Sequence, residues 1–262
     1  MRSTSDGGSF FTREQLDEMG EKYPPVPERR CPHCGRLLPQ RAIEVLGRWQ
    51  WLSDDCGCEG CVQAARNEAE RAEAEERRKV ERKYLGAGIA RRYIGAQVSD
   101  ERAASWLASF GENSGMGLYL HGCVGSGKTT LACALAKALI DAGRRAVVVT
   151  SRKLLQSIQD TFDKDGSAAD AMKRYTECDL LVIDDIGKES SSDWSLGTMF
   201  DVINERYSEL RPTVFTSQYE YWELGERFSR RGDEEGADAV LSRIRQVSTL
   251  IEMPKRNFRI EK

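Results

Sequence analysis

The chain of 262 residues lacks an excess of either charge: 39 basic side chains stand against 42 acidic ones, for a net charge of −3. That balance excludes a global positive field drawing in nucleic acid non-specifically, so any DNA contact has to be local. No apolar stretch is long enough to span a bilayer, and no secretory-type apolar segment follows Arg2. Both absences point to a soluble, cytoplasmic chain with no membrane partner. Internal repeats are missing, and low complexity is confined to one charged tract.

Cysteine is not scarce. Eight cysteines in a cytosolic chain imply metal binding or reduced thiols rather than a disulfide framework. Five of them fall between 31 and 61, as Cys31-Pro-His-Cys34 and Cys56-Gly-Cys58-Glu-Gly-Cys61. Two C-x-x-C knuckles are what tetrahedral Zn²⁺ needs, with glycines at 35, 57 and 60 relieving the backbone. The spacing predicts Cys31 and Cys34 as one half of the site and, most simply, Cys58 and Cys61 as the other. Cys56 is able to replace one of these, and His33 is a weak substitute. Between the knuckles, Ile43, Val45, Leu46, Trp49 and Trp51 predict a small hairpin. A closed four-thiolate site is structural, and a module this small needs such a staple. Cys123, Cys133 and Cys178 are expected to be unpaired.

Residues 122–129 read Gly-Cys-Val-Gly-Ser-Gly-Lys-Thr, a complete G-x-x-x-x-G-K-[ST] phosphate loop between a strand-like and a helix-like run. Gly122, Gly125 and Gly127 let backbone N–H groups turn toward a triphosphate, and the following helix points its positive end at it. Lys128 is expected to reach the β- and γ-phosphates of ATP. Thr129 is expected to give a hydroxyl to Mg²⁺, as Asp184 at the end of the run Leu-Leu-Val-Ile-Asp-Asp helps hold the ion. Asp185 then orients or deprotonates the attacking water. A further strand, 211–218, ends in Thr-Ser-Gln, a polar tip suited to sensing the γ-phosphate through Gln218 or, failing that, Ser217. Arg243, late in the core, is the candidate to project into a neighbour's site.

The order Gly-Cys-Val-Gly-Ser-Gly-Lys-Thr, Val-Ile-Asp-Asp-Ile-Gly-Lys-Glu, Ile-Asn-Glu-Arg-Tyr, Pro-Thr-Val-Phe-Thr-Ser-Gln and Leu-Ser-Arg-Ile is similar to that of the AAA+ ATPases of the DnaC/DnaI helicase-loader family, with its IstB-like transposition relatives. The match covers residues 88–259. The resemblance implies that Lys128 and Thr129 are the phosphate-loop pair, that Asp184 and Asp185 are the Walker B acids, and that Arg243 is an arginine finger acting in trans within a homo-oligomer. It also implies a replicative helicase and single-stranded DNA as partners, with the zinc module docking on the helicase. An IstB-like ATPase would instead serve a transposase on duplex DNA. The family usually ends its sensor strand in Thr-Ser-Asn; Gln218 keeps the amide but sets it one methylene further out. A nucleotide-dependent scaffold that barely hydrolyses ATP is the third reading. Nothing resembles a small-molecule acceptor site, which argues against a metabolic kinase.

The expected organisation is a flexible segment over 1–30, a zinc module over 31–61, a charged helical linker over 62–87 and an α/β AAA+ domain over 88–262. The linker alternates Ala, Glu, Arg and Lys without apolar a and d positions, which predicts a solvated single helix rather than a coiled coil. In the core, strands at 117–121, 146–150, 180–184, 213–216 and 250–253 alternate with helices at 129–142, 151–163, 193–208, 221–229 and 237–245. That pattern predicts a parallel sheet covered by helices on both faces. Arg152 with Lys153, and Arg227 with Arg230 and Arg231, are candidate phosphate contacts, each equally readable as solvated charge. Arg144 and Arg145 read as a helix-end charge pair.

Overall fold

A computed structural model describes residues 10–161, 168–189, 192–230, 234–258 and 260. Arg231 and the end of the helix expected over 151–163 lie outside the described residues. The chain divides into two units, residues 1–78 and 79–262.

In the first unit, helix α1 (Arg13–Glu18) precedes an antiparallel hairpin of β1 (Gln40–Val45) and β2 (Arg48–Ser53). The hairpin turns through Leu46 and Gly47, both at positive φ, as a two-residue loop between right-twisted strands requires. Residues 10–30 differ from the expected flexible segment. Thr12 and Gln15 form a capping box on α1, and Leu16 is fully buried against Ala42 and Trp51. Phe11 meets Trp49 edge-on, and Tyr23 meets Trp51 in the same way. The physical reason is packing: Phe11, Leu16, Tyr23 and Val26 cluster with Ala42, Trp49 and Trp51 of the hairpin.

Helix α2 (Glu59–Gly86) begins at the second knuckle and runs through the boundary between the units. Residues 62–79 are all exposed. Pairs such as Arg66–Glu70 and Arg77–Glu73 lie one turn apart, so the stretch is the solvated single helix its composition predicts.

The second unit is built on five parallel strands: β3 (Gly117–His121), β4 (Ala146–Thr150), β5 (Leu180–Asp184), β6 (Thr213–Ser217) and β7 (Ser248–Glu252), in the order β4-β5-β6-β3-β7. The central strands β3, β5 and β6 are buried along their whole length, so their side chains alternate between two cores rather than between core and solvent. Leu118, Leu120, Leu180, Val182 and Val214 face one core, which contains α4 (Lys128–Asp141) and Trp106 of α3 (Glu101–Ala108). Tyr119, Leu181, Ile183 and Phe215 face the other. There the sheet meets α5 (Ser151–Gln159), α6 (Ala168–Thr176), α7 (Asp193–Ser208), α8 (Tyr221–Ser229) and α9 (Glu234–Val247). This is the α/β sheet covered on both faces.

Helices α3 and α6 were not expected from the sequence, and α5 ends at Gln159. β7 starts two residues earlier than its apolar run, because it pairs Ser248–Glu252 with Gly117–His121 in parallel register.

Candidate nucleotide site and thiol centre

The carboxyl ends of β3, β5 and β6 converge on the phosphate loop. Gly125 and Gly127 hold φ of +83° and +91°, conformations that side chains resist, and α4 starts directly after them at Lys128. The Lys128 ammonium donates to the carbonyls of Gly122 (2.8 Å) and Cys123 (2.7 Å). Only 6% of Lys128 is exposed; burial pulls its pKa below the ordinary lysine value, and the nearby Asp185 carboxylate opposes that shift. A buried cation resting on two loop carbonyls and facing a cavity is suited to an incoming phosphate.

Asp184 is the hub of the acidic side. Its Oδ1 accepts from Thr129 Oγ1 at 2.9 Å and from Thr216 Oγ1 at 2.6 Å. Burial raises its pKa, and the two hydroxyls pull it back. Asp185 follows in the left-handed region (φ 59°), its backbone N–H donating to Thr216 Oγ1 at 2.9 Å. That turn sets its carboxylate 3.0 Å from Lys188 at the rim. Thr216 therefore joins the two acids, a role the sequence reading missed. Its only sequence signal is a hydroxyl at the tip of a strand that has to lie beside β5.

Of the two candidate sensors, Ser217 is fully buried and donates to Ile186 O while accepting from Tyr219 N–H. Gln218 instead lines a cavity of about 220 Å³ together with Gly125, Lys128, Thr129 and Asp185. Arg243 is not among the residues lining that cavity. It lies on α9, 4.3 Å from the Tyr207 ring centroid, and donates to Gln246 Oε1 at 2.6 Å. Its buried Nε has no hydrogen-bond partner among the described residues.

Arg227 is engaged within the protein, donating to Gly187 O at 2.8 Å and covering the Tyr219 ring at 4.3 Å. Arg145 similarly binds Glu177 O, and its N–H donates to Asp179. Cys133 and Cys178 are buried, whereas Cys123 is exposed.

In the first unit, the thiols of Cys31, Cys56, Cys58 and Cys61 all lie within 4.8 Å of one another. The Cys31–Cys58 and Cys56–Cys61 sulfurs are 3.7 Å apart and the Cys31–Cys61 sulfurs 3.4 Å. A tetrahedral zinc with Zn–S bonds of about 2.3 Å sets its sulfurs about 3.8 Å apart, so the four residues fit the ion. The set differs from the expected pairing in taking Cys56: Cys34 is exposed and stands beside the group, its sulfur 3.5 Å from that of Cys56. The first knuckle turns sharply, with Gly35 N–H donating to Cys31 O; Cys31 is buried and Cys34 exposed. Cys56 takes the fourth place. Gly60 is required where it stands, since a Cβ there would lie 2.5 Å from His33 Cβ.

A phosphate loop after β3, with an acid at the tip of β5 and the polar tip of β6 between the two strands, defines an AAA+ P-loop ATP-binding protein. More narrowly, residues 92–262 match the family of IstB-like ATP binding proteins, and the chain belongs to that family. It is similar to the replicative helicase loader DnaI of Bacillus subtilis (strain 168), at 29% identity over 168 residues, 61% of this chain and 53% of that one. It is similar also to a putative insertion sequence ATP-binding protein of Sinorhizobium fredii (strain NBRC 101917 / NGR234), at 28% over 155 residues, 59% of this chain and 49% of that one. The crystal structure of the DnaC helicase loader superposes with a TM-score of 0.55 at 25% identity, over 63% of this chain and 100% of that one. The chain spans about half the length of the curated relatives it matches. Among the described residues no helix is long and apolar enough to cross a membrane.

Proposed function

We propose that the chain is an ATP-switched loader that delivers a replicative helicase to single-stranded DNA at the initiation of replication, acting in the cytoplasm. The observation that carries this reading is the four-thiol module joined to the ATP-binding core: a closed structural centre at one end of a solvated helix is a device for gripping a partner. Residues 31–61 are the docking module, 62–87 the connecting helix and 88–262 the switch.

In that switch, the Gly122, Gly125 and Gly127 backbone and Lys128 hold the phosphates, and Thr129 with Asp184 would hold magnesium. Magnesium bound with the nucleotide neutralises charge on the phosphate oxygens. Asp185 orients the attacking water and accepts its proton. Gln218 reads the γ-phosphate by its amide. Arg243 acts on the site of the next copy in a homo-oligomer, which accords with its not lining its own cavity. Zinc on Cys31, Cys56, Cys58 and Cys61 staples the docking module, with Cys34 the spare thiol.

The similarity to an insertion sequence ATP-binding protein favours a second reading, a transposase-assisting ATPase on duplex DNA. Capture experiments separate the two. The intact protein with ATP is expected to retain the replicative helicase of its own genome, and the Cys31→Ser variant to lose it. Retention of a transposase and duplex DNA instead would move the assignment to the second reading.

A further inference from the structure

The chain returns to its phosphate loop after the last strand. Met253 N–H donates to His121 O at 2.8 Å, and Phe258 N–H donates to Gly125 O at 3.0 Å. Between these anchors the tail covers the loop glycine by glycine. A Cβ at Gly122 would stand 3.1 Å from Met253 Cβ, and one at Gly125 would stand 1.9 Å from Asn257 Oδ1. One at Gly127 would stand 3.8 Å from the Phe258 ring. Gly125, and less severely Gly122, therefore answer to a second constraint besides phosphate: they leave room for residues 253–258, whereas 3.8 Å at Gly127 is ordinary contact.

Phe258 is 51% exposed, yet its backbone is pinned to the loop and its ring lines the same cavity as Lys128, Thr129 and Gln218. A half-exposed aromatic ring adds little to a core, so its placement at the cavity calls for another use. The cavity's cations and hydroxyls suit phosphates and metal, whereas its flat and apolar members are Tyr93, Val124 and Phe258. A nucleotide whose phosphates rest on Lys128 has only its base and ribose left to meet such groups.

We propose that residues 253–258 form a wall of the nucleotide site, with Phe258 touching the base–ribose part of ATP and Asn257 positioning Gly125. The proposal rests on ATP binding at the phosphate loop and is independent of the partner the protein loads.

The test is titration of the full chain with ATP and, separately, with inorganic tripolyphosphate. Phe258→Ala is expected to weaken ATP binding about tenfold, as loss of one base–aromatic contact does. Tripolyphosphate binding stays unchanged, because it has no base to lose, and Phe258→Tyr restores ATP binding. Thermal melts check folding; if Phe258→Ala is unfolded, Phe258→Leu, which keeps bulk without a flat ring, gives the same comparison. Unchanged or tighter ATP binding would overturn the proposal, as would equal losses for both ligands, which would make Phe258 a support of the loop. Lys128→Ala tests the phosphate loop itself: it should lose both ligands, and its keeping both would defeat that assignment instead.

Discussion

Arg206 is the single side chain whose removal should damage the nucleotide site from furthest away. It is fully buried in α7, and among the described residues its hydrogen bonds go to carbonyls, a hydroxyl and a thiol rather than to a carboxylate. Its guanidinium donates to the carbonyls of Tyr175 (2.8 Å), Cys178 (2.8 Å) and Pro212 (2.6 Å), and to Thr213 Oγ1 (2.9 Å). These groups lie just before β5 and at the start of β6, so one cation sets the approach of the two strands that end in Asp184 and Thr216. Burial lowers its pKa to about 10, which leaves it charged at neutral pH. Arg206→Met keeps the aliphatic stem but strips the donors from three carbonyls. At about 1–3 kcal/mol for each buried group left unsatisfied, and with relief from burying the charge offsetting part, the loss should be about 3–5 kcal/mol. Urea denaturation of the full chain reads this directly, and magnesium-dependent nucleotide affinity should fall with it. Arg206→Lys should recover only part, since an ammonium lacks the fork that reaches both strands. A loss below about 1 kcal/mol for Arg206→Met would refute the reasoning, because donors so cheaply removed would not be holding the strands.

Three further outcomes are expected. Asp184→Asn should raise the melting temperature of the nucleotide-free protein at neutral pH while removing magnesium-dependent hydrolysis. The sign follows from a carboxyl whose folded pKa is raised: its stability contribution is complete below the unfolded value of 3.8 and is lost as pH rises through the folded one. The advantage of Asn should therefore vanish in acid melts, and an advantage independent of pH would contradict the assignment. Metal analysis of purified variants should find that Cys31→Ser loses zinc and Cys34→Ser keeps it; the reverse would overturn the four-thiol set. Arg243→Ala should spare nucleotide binding and slow hydrolysis by about 10³ only in the assembled state. An unchanged assembled rate would leave Arg243 as a contact on Tyr207.

The phosphate loop and the two acids were legible because their spacing alone dictates a local turn, and short-range chemistry needs no knowledge of the fold. The parallel sheet was legible for a related reason: five apolar runs separated by helical periods admit few other arrangements. What escaped depends on distant segments meeting. Thr216 becomes an Asp184 donor only through the register of β5 against β6, and Asn257 and Phe258 reach the loop only because β7 lies beside β3. Arg206 shows no role in the sequence, since an arginine on a helix looks like surface charge until both neighbouring carbonyl sets are placed. Spacing counts five thiols without saying which four lie closest together, and Cys34 stands exposed beside the other four. The packed segment 10–30 was hidden by its prolines and charges, which outnumber the Leu16, Tyr23 and Val26 that anchor it.

On the proposed reading, ATP at this site drives delivery of a helicase. The most direct measurement mixes the protein, the replicative helicase of the same genome and a closed circle of single-stranded DNA, then counts helicase retained on the circle with and without ATP. The account predicts ATP-dependent retention that Lys128→Ala abolishes. Helicase retained equally without ATP or with Lys128→Ala, or no helicase retained at all, would contradict it.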